Sequence, residues 1–303
     1  MKHYILVNPV SGNKKGIKHG ISIKKLLKKY GIDATIVVSK YSGHLTEVAK
    51  DLSSKHTCRF YSVGGDGTLN EIISGMYGSD SNIVVIPCGT GNDFIKSISK
   101  YMSMRKIIAF SINASSTPTD ILRLNDNKYC INILNAGFDA MVAKNVDHFR
   151  NVPFVSGKLK YNLAIFYTLL MNKNYKFKLR TYCNINDKMT PVNSLKQNFT
   201  LIAICNGKYY GGGIPPCPKA NVLDGIIDIC AVDSTRIRQK IIFLPKYTKG
   251  NHINLSKAHF YKAQKVHIVS NNEFPVSNDG EVFYTKKLSI DVLKGAINIV
   301  HIK

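Results

Sequence analysis

The chain has 303 residues, of which 44% are hydrophobic and 20% are charged, so it has enough apolar material for a buried core and is not expected to be disordered. Its 42 Lys and Arg against 19 Asp and Glu give a net charge of +23. Such a surface attracts polyanions, including nucleotides, nucleic acid and anionic lipid headgroups, although a solvated surface of purely compositional origin has the same charge. The length favours two domains.

Neither the cysteines nor the apolar runs indicate an extracellular or membrane-spanning protein. The seven cysteines include no CxxC or Cys/His spacing, which is typical of reduced thiols in a cytoplasmic protein. The first apolar run reaches Asn8 and Pro9 too early for a signal peptide. The longest later run, 163–171, has roughly half of the ~20 residues that a spanning helix needs. We therefore expect a cytoplasmic protein that does not cross a membrane.

The first 110 residues alternate between strand and helix patterns. Strands are predicted for HYILVNP, IDATIVVS, RFYSV and NIVVIP, and helices for ISIKKLLKKYG, GHLTEVAKDLSS, TLNEIISGMYG and NDFIKSISKYM. Regular alternation of this kind indicates βαβ units, in which helices cover a parallel sheet. We assign residues 1–120 to an N-terminal three-layer α/β domain with a parallel-type sheet.

Strand patterns dominate after about residue 119. They are DILRLN, KYCINILNAGF, YKFKLRTYCNI, FTLIAICNG, IIDICAV, KVHIVS, EVFYT and KLSIDVL, and helical patterns interrupt them only at about 157–172 and 236–247. This half predicts a second, all-β domain at 121–290, either sandwich-like or a barrel. The closing segment 291–303 is a candidate to pack back onto the first domain.

Three glycine-rich turns follow predicted strands of the first domain. Because the carboxyl ends of parallel strands meet at one sheet edge, where ligands bind, we expect the turns to lie together. The first, NPVSGNKKG, offers backbone N–H groups and two lysines to a phosphate. Taken alone, it is more typical of an ordinary strand-to-helix turn. It is not a Walker A loop, because GxxxxGK[ST] is absent.

The second and third turns combine glycine with an acid. GGDGT opens a predicted helix, whose N-terminus attracts anions, and Asp66 among phosphate-binding glycines indicates that Mg²⁺ or its water shell lies between the carboxylate and the phosphates. In CGTGNDF, Thr90 and Asn92 are candidate phosphate or nucleotide ligands, and Asp93 repeats the acid at a helix start. The alternative for both aspartates is a helix cap.

The ordered set of motifs resembles a known family. NPVSG, VGGDGTLNE and PCGTGNDF, at these separations, are similar to the diacylglycerol kinase catalytic family, in particular its bacterial lipid kinases. The resemblance continues through ICNGKYYGGGIPPCPKANVLDGIIDI, at 204–229, and NDGE, at 278–281. GGDGT alone is not specific, since NAD kinases share it and 6-phosphofructokinases carry a close variant. The resemblance implies a nucleotide-binding α/β domain and a β-sandwich with ATP in the cleft between them.

The resemblance also implies roles for individual residues. The positions that match the family's ATP-contacting turns are Asn8, Pro9, Val10, Ser11, Gly12, Gly65, Asp66, Gly67, Thr68, Leu69, Asn70, Glu71 and Thr90. Ser39 stands where the family often has a Thr, and Asp66 matches the acid tied to Mg²⁺ and phosphates. Asp279 and Glu281 match the pair that bears the general base, and the sequence leaves open which of them accepts the proton. Read without the family, Asp-Gly-Glu is typical of a hairpin turn.

A second metal position is implied in the LDG segment. Asp224 matches an acid that holds a structural Mg²⁺, with Asn221 and Ile226 contributing oxygens, which for Ile226 means the backbone carbonyl. Leu223 departs from the family, because many relatives have a second acid there, and this departure puts the strength of metal binding in doubt.

The function implied is an ATP- and Mg²⁺-dependent kinase of diacylglycerol or another lipid alcohol. Such a kinase must dock on a bilayer, and the basic charge favours an anionic phospholipid surface, with each Lys or Arg contributing about 1 kcal/mol. The region 144–178 mixes basic, aromatic and apolar residues as an interfacial segment does, although a core helix with solvated ends fits equally. Family members often pair, so a homodimer is a candidate, and no nucleic acid partner is expected. The alternatives are a soluble-substrate kinase of the NAD kinase type and a non-catalytic lipid- or nucleotide-binding member of the fold.

Overall fold

The four apolar runs at the start of the chain form one parallel sheet. Its strands are β1 (Lys2–Val7), β2 (Ala34–Val38), β3 (Cys58–Gly64) and β4 (Asn82–Pro87), in the order β2-β1-β3-β4. β3 is buried along its whole length, as its continuous apolar run predicts for a central parallel strand. The computed structural model describes residues 1–89, 91–99, 102–125, 128–149 and 157–302.

Helices cover both faces of this sheet. They are α1 (Ser11–Lys14), α2 (Gly16–Lys29), α3 (His44–Lys55), α4 (Asp66–Met76), α5 (Ile95–Ile98) and α6 (Met104–Asn113). α3 and α4 bury Leu45 and Ile72 on one face, while α2 and α6 bury Ile23 and Ile107 on the other. Each of these side chains stabilises the fold by about 1.5–3 kcal/mol when it leaves water. The predicted three-layer α/β domain with a parallel sheet is confirmed.

The second half of the chain forms a mainly antiparallel sheet that curls around its own core. Its strands are β5 (Thr117–Leu124), β6 (Lys128–Cys130), β7 (Ile133–Gly137), β8 (Tyr175–Ile185), β9 (Lys188–Cys205), β10 (Ile227–Asp233), β11 (Ala258–Ala263), β12 (Lys265–Asn278) and β13 (Glu281–Ile299). The order runs β11-β10-β9-β7-β12-β13, and β8 pairs with both β12 and β9. Phe177, Phe199 and Phe274 meet in the core, with ring centroids 4.8 to 6.2 Å apart. The predicted β-sandwich-like domain is confirmed.

In the described part of the chain, three helices pack on this second domain: α7 (Phe138–Val146), α8 (Gly157–Met171) and α9 (Ile237–Thr248), with a 3-10 turn at Asp147–Phe149. α8 and α9 lie where the helical patterns predict them. α7 was not expected, because NAGF continues the strand pattern of β7 into the helix. None of the described helices has the length and apolar character needed to span a bilayer.

β13 connects the two domains as a single strand of 19 residues. It pairs antiparallel with β12 and β5, and its last residues, Asn298 and Ile299, pair in parallel with Asn82 and Ile83 of β4. The C-terminal residues thereby enter the apolar core of the first domain. The division of the chain at residues 120 and 290 stays a prediction, because the sheet continues through the shared strand.

Candidate functional site

The three glycine-rich turns lie against one another at the carboxyl edge of the parallel sheet. Asn8 Nδ2 in the first turn donates to Thr68 Oγ1 after the second, at 3.2 Å. The second and third turns are in backbone contact, since a Cβ atom at Gly89 would lie 2.5 Å from Gly65 Cα. A side chain cannot be accommodated at that distance, so the contact requires glycine.

The first and third turns meet in the same way. Gly12 has a φ of +60°, and a Cβ atom there would lie 2.8 Å from the Cys88 carbonyl oxygen. Pro9, Val10 and Ser11 complete this turn, and the Val10 N–H donates to Asn8 Oδ1 at 3.1 Å. The three glycine-rich turns therefore lie together, as their positions after parallel strands predicted.

Asp66 links the second turn to the third. Its Oδ2 accepts the Asp93 backbone N–H at 2.9 Å, and its Oδ1 accepts the Phe94 N–H at 3.0 Å. Asp66 is the first residue of α4, and the N-cap position of that helix is Gly65. Burial raises the pKa of Asp66, and the nearby Asp93 charge raises it further, while the two N–H bonds oppose these effects. Asp66 therefore fixes the geometry of the neighbouring turn instead of capping α4.

Asp93 is 4% exposed and also does more than start a helix. Its Oδ1 lies 2.6 Å from Lys96 Nζ, and its Oδ2 accepts the Gly212 N–H of the second domain at 2.8 Å. A Cβ atom at Gly91 would lie 3.2 Å from Asp93 Oδ2 and 3.5 Å from Asp66 Oδ2, so both carboxylates face the same glycine. Two acids and a lysine thus converge beside the turn.

Asp279 reaches this region from the second domain. Asp279 and Gly280 have φ values of 46° and 97°, as in the two-residue hairpin turn for which Asp-Gly is typical, and the turn joins β12 to β13. The residue is partly exposed, but its carboxylate points inward and accepts the N–H groups of Ile131 at 2.9 Å and Ile133 at 3.0 Å. The Cys130 thiol donates to the same carboxylate at 3.4 Å.

The environment of Asp279 makes it a stronger proton acceptor than an ordinary carboxylate. Burial raises its pKa to about 6, against the opposing effect of the two N–H bonds, and the charge of Asp66 raises it further. The charge of Asp66 in the first domain thus acts on a carboxylate of the second domain. Glu281, two residues on, is exposed.

Several other predicted residues have structural partners. Asn92 holds the third turn through two bonds with Gly89, from the Gly89 N–H to Oδ1 at 2.8 Å and from Nδ2 to the Gly89 carbonyl at 2.7 Å. Glu71 accepts the Leu45 N–H at the start of α3 at 3.3 Å. Asn70 Nδ2 donates to the Tyr129 carbonyl at 3.2 Å.

The remaining predicted nucleotide ligands differ in exposure. Leu69 is buried in the apolar core and Gly67 is exposed at the start of α4. Ser39 follows β2 at the same sheet edge, and its hydroxyl donates to the Tyr41 carbonyl at 3.0 Å. Thr90 lies outside the described residues.

The predicted metal segment surrounds an acid that the sequence motifs did not single out. Asp120, in β5, accepts the Gly225 N–H at 2.6 Å and the Gly295 N–H at 2.7 Å. Burial raises its pKa, and the charge of Asp224 adds to the effect. The sequence did contain one sign of this role. Asp120 lies inside the largely apolar strand TPTDILRL, where a carboxylate needs buried hydrogen-bond partners.

The predicted ligands themselves lie in the turn beside Asp120. Asp224 Oδ1 accepts the Ile226 N–H at 3.0 Å, and Asn221 is exposed. Asp228 Oδ2 is buried and has no hydrogen-bond partner among the described residues; burial raises the pKa of Asp228, and the Asp224 charge raises it further. These oxygen donors suit Mg²⁺ chemically. Among the described residues, however, no three His, Cys, Asp or Glu side chains are grouped to hold a metal, so backbone carbonyls and water would have to complete the coordination.

Comparison with known proteins agrees with both halves of the fold. Residues 2–124 match the diacylglycerol kinase catalytic domain, and residues 132–301 match the YegS C-terminal NAD kinase beta sandwich-like domain. A protein of Shewanella frigidimarina named as a probable YegS-like lipid kinase is 29% identical, with 89% of this chain and 88% of the relative covered. A diacylglycerol kinase of Mycobacterium tuberculosis is 25% identical, with 87% and 83% covered.

A solved structure supports the fold independently of close sequence similarity. A diacylglycerol kinase from Bacillus anthracis has a TM-score of 0.71 at 22% identity, with 99% of this chain and 96% of that chain covered. The glycine turns and the two domain matches lead to one assignment. The chain belongs to the lipid kinase family that combines a diacylglycerol kinase catalytic domain with a YegS C-terminal NAD kinase beta sandwich-like domain.

Proposed function

We propose that the protein is an ATP- and Mg²⁺-dependent lipid kinase that transfers the γ-phosphate to the hydroxyl of diacylglycerol, giving phosphatidic acid, or to a related lipid alcohol. The observation that carries the proposal is that the second domain contacts the acidic turns of the first: the Gly212 N–H donates to Asp93, whose own N–H is held by Asp66. The same second domain holds Asp279, whose pKa is raised to about 6 by burial. Phosphoryl transfer requires positioned phosphates and a base beside the attacking hydroxyl. In this proposal the first domain positions the phosphates and the second supplies the base.

In this mechanism the first domain positions the nucleotide. The turns around Gly12, Gly65 and Gly89 allow the phosphates to approach the backbone closely, and the N-terminus of α4 directs its N–H groups and positive dipole toward them. Asp66 and Asp93 are the acids that would hold Mg²⁺, which neutralises the charge that develops on the phosphates.

Asp279 is the base that the geometry favours over Glu281. Its carboxylate is fixed by two backbone N–H groups and by Cys130, so it loses little freedom when it accepts a proton. A pKa near 6 leaves it mostly ionised at neutral pH and raises its affinity for the proton of the lipid hydroxyl. Glu281 is exposed at the end of the same hairpin and lacks this support.

We propose further that the protein works in the cytoplasm and binds peripherally to an anionic bilayer. α8 and α9 contact each other and expose Phe166, Leu170, Ile241 and Ile242, whose exposed fractions are 61%, 60%, 55% and 66%. Exposed basic residues border this apolar face: Lys173, Arg236, Arg238, Lys246 and Lys249. Large apolar side chains with a basic rim are typical of interfacial docking, and the net charge of +23 complements anionic lipid.

The activity is tested with purified protein, labelled ATP and Mg²⁺, given diacylglycerol, monoacylglycerol, phosphatidylglycerol, sphingosine and NAD in parallel. We expect label in a lipid alcohol. Label in NAD alone would overturn the lipid assignment, and ATP binding without any labelled product would favour a non-catalytic member of the fold.

Docking is tested by sedimentation with vesicles of phosphatidylglycerol and phosphatidylcholine. Phe166→Ser with Leu170→Ser should reduce binding, while the matched control, Ile185→Ser with Met189→Ser, changes two exposed apolar residues at the β8–β9 hairpin and should not. Equal binding of both variants would remove the α8–α9 face from the proposal. A change from dimer to monomer in the first variant alone would instead assign this face to a homodimer.

A further inference from the structure

The glycine triplet of the second domain forms a loop that reaches the acids of the first. Tyr210 and Ile214 bracket it through two backbone bonds, at 3.0 Å and 2.8 Å, and the three glycines between them all have positive φ. At the tip of the loop, the Gly212 N–H donates to Asp93 Oδ2 at 2.8 Å. The loop therefore contacts Asp93, one of the two carboxylates that face Gly91; Asp66 is the other.

A buried carboxylate holds the base of this loop. Asp139, in the first turn of α7, is 7% exposed and accepts the hydroxyl groups of Tyr210 and Tyr247 on the same oxygen, Oδ2. Tyr161 closes the other side, because a Cβ atom at Gly211 would lie 2.8 Å from its hydroxyl. Asp139 has no role in the proposed proton transfer. Burying an acid destabilises a fold unless hydrogen bonds compensate for the lost hydration, so its contacts need an explanation.

We infer that Asp139 and Tyr210 are positioning residues, which fix the glycine loop so that the Gly212 N–H holds Asp93 in place for the nucleotide. The chain of contacts runs from Asp139 Oδ2 to the Tyr210 hydroxyl, along the loop to Gly212, and across the cleft to Asp93. Two groups thus hold Asp93, Lys96 from its own domain and Gly212 from the other. This inference rests on the proposed kinase function.

The two tyrosines provide a matched pair of variants. Tyr210→Phe and Tyr247→Phe each remove one hydroxyl from the same oxygen of Asp139, but only Tyr210 belongs to the loop. We expect Tyr210→Phe to raise the KM for ATP about tenfold, which corresponds to about 1.4 kcal/mol, with a smaller change in the KM for lipid. Tyr247→Phe should lose comparable thermal stability and keep the KM for ATP near that of the wild type.

Amide hydrogen exchange tests the anchoring without relying on activity. Exchange in the segment 209–214 should rise in Tyr210→Phe and stay unchanged in Tyr247→Phe, with folding of both variants checked by circular dichroism. Asp139→Asn retains an oxygen that can accept both hydroxyls, so it should resemble the wild type in exchange and in the KM for ATP.

Three results would overturn the inference in an active wild-type enzyme. They are equal KM values for ATP in the two tyrosine variants, unchanged loop exchange in Tyr210→Phe, and faster loop exchange with an unchanged KM in Tyr210→Phe. A wild-type protein that phosphorylates none of the substrates would instead contradict the proposed function, and the exchange experiment would still show whether Asp139 and Tyr210 anchor the loop.

Discussion

Two Asp-Gly turns in the second half of the chain look alike in sequence and differ in the structure. At Asp279 the carboxylate leaves its own hairpin and accepts N–H groups from Ile131 and Ile133. At Asp224 the carboxylate accepts the N–H of Ile226, two residues further along its own turn. The difference shows that backbone donors from a neighbouring segment, more than the turn itself, determine which acid is held rigidly.

The largest expected effect on turnover is at Asp279, the acid that is held rigidly. Asp279→Ala and Asp66→Ala should each lower turnover by about 10²–10⁴-fold, because the first removes the proposed base and the second removes the acid that holds the third glycine turn. Circular dichroism should show that both variants remain folded. Asp224→Ala should keep measurable turnover and require a higher Mg²⁺ concentration. Wild-type rates in either of the first two variants would remove that residue from the mechanism.

The pH dependence sharpens the same contrast. Because burial raises the pKa of Asp279 to about 6, kcat/KM should rise with pH, reach half its maximum near pH 6, and fall about tenfold per pH unit below that. The sign follows from the role of base, which requires the ionised form. An acidic limb centred well below pH 6 would instead contradict the assignment of Asp279 as the base.

Stability distinguishes the two acids at the other turn. Asp120→Ala leaves the N–H groups of Gly225 and Gly295 without their acceptor, so the free energy of unfolding should decrease by about 2 kcal/mol or more. Asp224→Ala removes one bond within a turn and should cost about 1 kcal/mol or less. Urea denaturation measures both. Equal losses would show that the buried position of Asp120 has no energetic consequence.

The smallest effect is expected at the end of the Asp279 hairpin. Glu281→Gln should change kcat by less than about threefold, since surface substitutions away from buried networks have small effects. Steady-state kinetics at neutral pH provide the measurement. A loss as large as that of Asp279→Ala would assign the proton transfer to Glu281.

The sequence predicts the first domain well because its signals are local. Strand and helix patterns alternate, and the glycine turns follow the strands, so the order of residues along the chain is enough to infer the sheet edge that gathers Asn8, Asp66 and Asp93. The parallel sheet and the sandwich-like second domain are both confirmed.

The features that the sequence did not predict depend on contacts between segments that are distant in the chain. The role of Asp120 requires Gly225 and Gly295, which lie far away in the chain, and the loop contact of Asp93 requires Gly212. α7 was missed because its start reads as a continuation of β7, and β11 because AHFYKA is short and half polar. Local propensity does not contain tertiary information of this kind.

The shared strand β13 affects how the two domains are held relative to each other. One continuous backbone begins beside the Asp279 hairpin and ends beside β4 of the first domain. Between them its register shifts at Leu293–Ile297, where Gly295 has a φ of +57° and donates its N–H to Asp120. The two domains are therefore joined by a bent strand that is paired on both sides of the bend, and their relative orientation depends on the curvature of β13 at this bulge.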